Sequence, residues 1–115
     1  MKVRILPEVL DYLDELVITL YKKEYFGFKK SSKKYIRELL LNIKTTLPIR
    51  SHNPAPKHFE RYGKDLYYAT FQKSNRTTWY AFFTKHLQNE EIIYLVRYIS
   101  NNHVTGQFLS NDINE

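Results

Sequence analysis

DLYYATFQKSN (65–75), RTTWYAFFTKHLQNE (76–90) and EIIYLVRYIS (91–100) follow one another without interruption. Each contains a run of aromatic, β-branched and apolar residues closed by polar punctuation, the composition of a three-stranded meander. Ser74 and Asn75 mark the first turn, and Gln88 to Glu91 mark the second. Both connections are far shorter than the roughly dozen residues of a parallel crossover, so neighbouring runs pair antiparallel. Strand alternation puts Tyr67, Ala69, Phe71 and Lys73 on one face, with Leu66, Tyr68, Thr70 and Gln72 on the other. By the same rule Ile93, Leu95, Arg97 and Ile99 alternate with Ile92, Tyr94, Val96 and Tyr98.

Upstream of this sheet the pattern changes period. Lys2 to Leu6 alternates Val3 and Ile5 against Lys2 and Arg4, a short strand that adds an edge to the sheet. Pro7 ends it and opens a helix, since the first helical position has no N–H partner to lose. From Glu8 to about Phe26, Val9, Leu10, Leu13, Leu16, Val17, Leu20 and Tyr21 recur at threes and fours. Acids crowd the start of that segment and Lys22 and Lys23 its end, the order the helix dipole favours. Gly27 is a candidate C-terminal cap. Ser31 or Ser32 is a candidate cap for a second helix, Lys33 to about Thr46, with Tyr35, Ile36, Leu39, Leu40 and Ile43 on its apolar face. Two helices joined by so short a link form a hairpin that covers one face of the sheet. LPIRSHNPAPK (47–57) holds three Pro and no periodicity, so it is expected to be irregular.

The expected fold is therefore α+β: an N-terminal strand, then a two-helix hairpin packed on an antiparallel β-sheet. At 115 residues it forms one domain over 1–115, with 110–115 a frayed tail. Ten Tyr and seven Phe make the core aromatic. No Cys is present, which removes disulfides, thiolate metal sites and a Cys nucleophile together. No window approaches the roughly 18 apolar residues of a membrane span, and the N-terminus lacks the apolar core of a signal peptide, so a soluble intracellular protein is expected.

The net charge of +6 is unevenly spread. Between Lys29 and Lys64 ten Lys/Arg stand against Glu38 and Glu60, a local charge of +8 that leaves −2 for the rest. Such an excess fits a polyanion or an acidic partner, or simply a solvated helix face and a basic loop.

With the elements in order, KVRILPEVLDYLDEL, LPIRSHNPAPKHFERYGKDLYYATFQ, RTTWYAFF and EEIIYLVRYISNNH together resemble the RelE/ParE superfamily, toxins of bacterial type II toxin–antitoxin pairs. The aromatic strand ending in Phe-Phe and the Ile/Val/Leu-rich last strand are most similar to RelE-like and HigB-like members. That resemblance implies a β-α-α-β-β-β order and a metal-independent, cofactor-free endoribonuclease that cuts ribosome-bound mRNA through attack of a 2′-hydroxyl. It also implies a cytoplasmic location, a cognate antitoxin as partner, and no membrane partner. ParE-like members instead poison DNA gyrase, and a catalytically degenerate member would only bind RNA or a partner.

Attack by a 2′-hydroxyl needs a proton acceptor, a donor for the leaving 5′-oxygen and cations near the phosphorane charge. The residues matched to these roles are Arg61, Lys64, Arg76, Arg97 and His103, with Lys57, Lys73 and Tyr98 as RNA-binding support. Arg61 and Lys64 match the family by position and type. Arg76 lies at the start of its strand, whereas the family often carries an Arg in the middle. His103 stands alone after the last strand, without the His-Arg or His-Tyr pair of other members. Arg97 admits two readings, a phosphate ligand at the edge of a groove or an Arg paired with an acid beneath a helix end. Trp79 reads as core. His52, His58 and His86 have neither the spacing nor the acid neighbours of a metal site. Neither a glycine-rich phosphate loop nor a GxSxG elbow is present.

Overall fold

The computed structural model describes the backbone of residues 2–22, 29–73 and 77–102, and the side chains of these except 17, 19–22 and 29–32. The architecture is α+β. Strands β1 (Lys2–Ile5), β2 (Asn53–Pro54), β3 (Tyr67–Gln72), β4 (Thr78–Gln88) and β5 (Glu91–Asn101) form one sheet in the order β1-β5-β4-β3-β2. Helices α1 (Pro7–Lys22) and α2 (Lys29–Thr46) pack on each other and on the sheet.

The meander forms as its composition dictates, with Tyr67 to Gln72 antiparallel to Phe83 to Thr78, and β4 antiparallel to β5 along its length. Asn89 and Glu90 turn the β4–β5 hairpin with φ of 51° and 64°. Two consecutive left-handed residues are what a two-residue hairpin loop requires, because that twist matches the strands. The first turn, at Ser74 and Asn75, lies outside the described residues.

β1 takes the edge expected of it and pairs parallel with β5, Lys2 opposite Ile93 through Ile5 opposite Val96, so the sheet is mixed. Leu6 N–H donates to Val96 O (3.1 Å), and the ladder then stops because Pro7 has no N–H. The Leu6 carbonyl instead accepts from Val9 and Leu10 N–H, which starts α1 at the proline. Residues 23–26, read as the end of the first helix, and Gly27 lie outside the described residues. α2 begins four residues before the expected Lys33, so Ser31 and Ser32 fall within it rather than at its cap. Serine in a helix costs only about 0.5 kcal/mol against lysine, which the packed face of α2 readily offsets.

The main core lies between helices and sheet. Leu13, Leu39, Ile43 and Leu47 meet Phe71, Trp79, Phe83, Val96 and Ile99, all essentially inaccessible to solvent. Trp79 Nε1–H donates to Tyr35 Oη (2.8 Å), so the largest core side chain has its polar atom satisfied. The proline-rich 47–57 segment is more ordered than its composition predicts, holding a 3₁₀ turn, Leu47–Ile49, and the short strand β2. Arg50 ties it down: Nε donates to Thr46 Oγ1 (2.9 Å), Nη1 to Thr70 O (3.1 Å) and Nη2 to Asn42 Oδ1 (3.3 Å), with the guanidinium 4.2 Å from the Phe71 ring. His52 Nε2–H donates to Leu47 O (2.9 Å) while its ring packs edge-on against Phe83, which makes it structural.

The second face of the sheet is also covered. A 3₁₀ helix, Lys57–Tyr62, lays Phe59 on Phe82 (4.5 Å between ring centroids) and Tyr62 on Tyr98 (4.0 Å, 5° between planes). With three residues per turn, positions three apart eclipse, so Phe59 and Tyr62 point the same way and seal a small aromatic core with Leu66 and Tyr68. Among the described residues no helix is long and apolar enough to cross a membrane.

Candidate functional site: a cationic cleft at the β4 overhang

β4 outruns β3. Their pairing begins at Tyr67 opposite Phe83, so Thr84 to Gln88 have β5 beside them but no β3 on the other side. The chain from Gly63 to Leu66 passes next to this gap. Between them opens a cleft of about 700 Å³ lined by Gly63, Lys64, Asp65, Tyr67, Thr84, Lys85, His86 and Arg97.

Arg97 enters the cleft through a β-bulge. Phe82 pairs with Tyr98 and Phe83 with Val96, leaving Arg97 unmatched on β5. A bulge adds one residue to one strand and re-aims the side chains around it. Strict alternation therefore fails here: Ile99 joins Val96 in the helix-side core, while Tyr98 packs into the aromatic cluster on the opposite face.

Among the described residues the guanidinium is held by one bond, Nε–H to Thr84 Oγ1 (2.8 Å). Thr84 Oγ1 in turn lies 2.7 Å from His86 Nε2. Thr84 and His86 are two apart on one strand and share a face, so the three residues form a continuous chain across the β4–β5 ladder. Among the described residues Arg97 has no acid partner, and its two terminal nitrogens make no hydrogen bond. That decides against the acid-paired reading for these residues. Gly63 backs onto the same side chain: a Cβ there would lie 2.9 Å from Arg97 Cδ, at a φ of +156° that side-chain-bearing residues rarely adopt.

The charge of the cleft is positive. Lys64, Lys85 and Arg97 face Asp65 alone, with Lys85 Nζ 4.6 Å from the Tyr67 ring centroid. A hollow of about 300 Å³ that shares Gly63, Asp65 and Tyr67 has Glu60 in its lining and no cation, so of these two the first suits an anion. The Arg61 guanidinium lies 5.1 Å from the Tyr62 ring that stacks on Tyr98, the residue next in the chain to Arg97. Burial holds the Tyr98 phenol above its ordinary range, and burial does the same to Tyr12, with Tyr98 and Tyr62 adding to the effect.

Of the residues singled out from sequence, Lys64 and Arg97 line the cleft, whereas Arg61 and Tyr98 are not among its lining residues and both lie against the Tyr62 ring. Lys57 is exposed at the start of the 3₁₀ helix and does not line the cleft. Lys73 lies on the helix side, 3.8 Å from Glu38 and 5.0 Å from the Tyr35 ring centroid, at the opposite end of β3 from the cleft. Arg76 and His103 lie outside the described residues. Gly63, Asp65, Tyr67, Thr84, Lys85 and His86 are the cleft residues that sequence reasoning missed. The signal for Thr84 and His86 was their shared strand face, but its meaning depends on how early β3 begins.

Among the described residues no group of three His, Asp or Glu is placed to hold a metal ion. Comparison with protein-family models, with curated proteins and with solved structures finds no match to this chain.

Proposed function

We propose that this chain is a RelE/ParE-like toxin of a type II toxin–antitoxin pair, acting in the cytoplasm as a metal-independent endoribonuclease on ribosome-associated mRNA. The observation that supports this most is Arg97, carried on a bulge into a cationic cleft with both terminal nitrogens unpartnered among the described residues. A guanidinium in that state offers two parallel donors to phosphate oxygens, a geometry that lysine cannot reproduce.

On this reading an RNA strand crosses the cleft with its scissile phosphate against Arg97. The 2′-oxygen forms a bond to phosphorus as the bond to the 5′-oxygen breaks, leaving a 2′,3′-cyclic phosphate and a 5′-hydroxyl. The Arg97 fork stabilises the added charge on the equatorial oxygens, and Lys64 and Lys85 neutralise the neighbouring phosphates. On the same reading Arg61 and the Tyr62–Tyr98 stack would take an adjoining nucleotide, since Tyr62 and Tyr98 are the chain neighbours of the lining residues Gly63 and Arg97, and aromatic faces and guanidinium planes both stack on unpaired bases.

The test is induction of the wild type and of Arg97→Ala, with primer-extension mapping of cuts in translated messages beside an assay of DNA supercoiling. Growth arrest with new 5′ ends for the wild type, both lost in Arg97→Ala, supports the proposal. Growth arrest with altered supercoiling and intact messages refutes it in favour of a ParE-like gyrase poison.

A further inference from the structure

We infer that His86 is the proton acceptor of this cleft and that Thr84 is its positioning residue, an assignment that rests on the ribonuclease reading above. It stands on the geometry around one oxygen. Thr84 Oγ1 is within hydrogen-bond distance of Arg97 Nε (2.8 Å) and His86 Nε2 (2.7 Å). Arginine only donates, so one lone pair of Oγ1 is taken by Arg97. Thr84 Oγ1 can meet His86 Nε2 either by donating its O–H or by accepting from Nε2–H; we assign the second tautomer, in which Nδ1 keeps a free lone pair. Among the described residues His86 makes no other hydrogen bond or ion pair, so nothing competes for Nδ1.

Thr84 is 6% exposed whereas His86 is exposed, so the chain runs from an anchored oxygen to a ring that reaches solvent and substrate. One oxygen thus sets the spacing between the phosphate-binding guanidinium and the base. This is the general arrangement in which a third group orients a catalytic imidazole. In the reaction the 2′-hydroxyl proton moves to Nδ1 as the 2′-oxygen attacks phosphorus, and the departing 5′-oxygen takes a proton from water. Nε2–H stays on Thr84 throughout, and the imidazolium then returns its extra proton to solvent. The ionisable groups around His86 are Lys64, Asp65, Tyr67, Lys85 and Arg97.

The experiment measures single-turnover cleavage of ribosome-bound mRNA across pH for the wild type, His86→Ala and Thr84→Ser and Thr84→Val. His86→Ala is expected to lose about 10²- to 10³-fold in rate, the usual worth of a general base, and to lose the acidic fall-off of the wild-type profile. Added imidazole restores part of the rate to His86→Ala, which no structural role for the ring would allow. Thr84→Ser keeps the wild-type rate, and Thr84→Val falls about tenfold or more because neither the His86 ring nor Arg97 Nε is anchored any longer. A His86→Ala protein that cuts at the wild-type rate with the same pH profile overturns the assignment while leaving the ribonuclease reading intact. A wild type that does not cut overturns the ribonuclease reading, and this assignment with it.

Discussion

Replacing Gly63 by alanine tests the link between backbone and cleft. The new methyl would sit 2.9 Å from Arg97 Cδ and 3.5 Å from Thr84 Cγ2. Carbon atoms pack comfortably at about 3.5–4.0 Å, so Arg97 must withdraw by roughly 0.6 Å or more. Its Nε bond to Thr84, now 2.8 Å, stretches toward the limit of a useful hydrogen bond. The strained φ adds a backbone cost of about 1–3 kcal/mol. In a domain of 115 residues that lowers Tm by roughly 4–12 °C. The displaced guanidinium separately costs about 10- to 100-fold in cleavage rate, since misplacement of an ångström or less is felt at a reacting centre. Thermal unfolding and single-turnover cleavage separate the two effects when Gly63→Ala is placed in a Thr84→Val background. There the Tm loss persists, while most of the rate loss disappears because the Nε anchor is already gone. A Gly63→Ala protein with unchanged Tm, or the same additional rate loss in both backgrounds, would refute the reasoning.

Three further outcomes follow from named contacts. Arg50→Ala removes three side-chain hydrogen bonds and the face of Phe71, and is expected to lose about 1.5–3 kcal/mol in urea unfolding; Arg50→Lys recovers less than half of it, because an ammonium has no fork. Trp79→Phe leaves the half-buried Tyr35 hydroxyl without its indole donor and opens space in the core, and should cost about 2–4 kcal/mol by the same measurement. Alkaline pH is expected to destabilise the fold: Tyr12, Tyr35, Tyr80 and Tyr98 all hold their protons to higher pH when folded, chiefly through burial. The folded state then binds more protons than the unfolded one above the ordinary tyrosine value of 10.0, so this stability is complete below that pH and is lost as pH rises through the folded values. A flat midpoint across that window in pH-dependent denaturation would contradict it.

Much of the architecture was legible because two periods dominate the chain. Threes and fours before Thr46, then twos after Asp65, define which residues face each other, and Leu39, Ile43, Phe71 and Ala81 all fall in the core between them. The parallel pairing of β1 was not legible, because alternation in Val3 and Ile5 identifies a strand but not its neighbour. Neither was the covering of the second face: HFERY mixes charge and aromatics, and only the three-residue turn shows that Phe59 and Tyr62 point together. At the site, Arg97 stood out as a charge within an apolar strand. The bulge that delivers it did not, since a one-residue slip between Phe82 and Phe83 arises from pairing rather than from local composition. Thr84 and His86 read as ordinary strand residues until the short reach of β3 leaves a cleft beside them.

The most direct test of the cleft is cleavage of ribosome-bound mRNA by the purified protein in the presence of a chelator. New 5′-hydroxyl ends paired with 2′,3′-cyclic phosphates, formed by the wild type and absent with Arg97→Ala of unchanged Tm, are the predicted result. Intact mRNA with the wild type, or the same cuts from Arg97→Ala, would contradict the account.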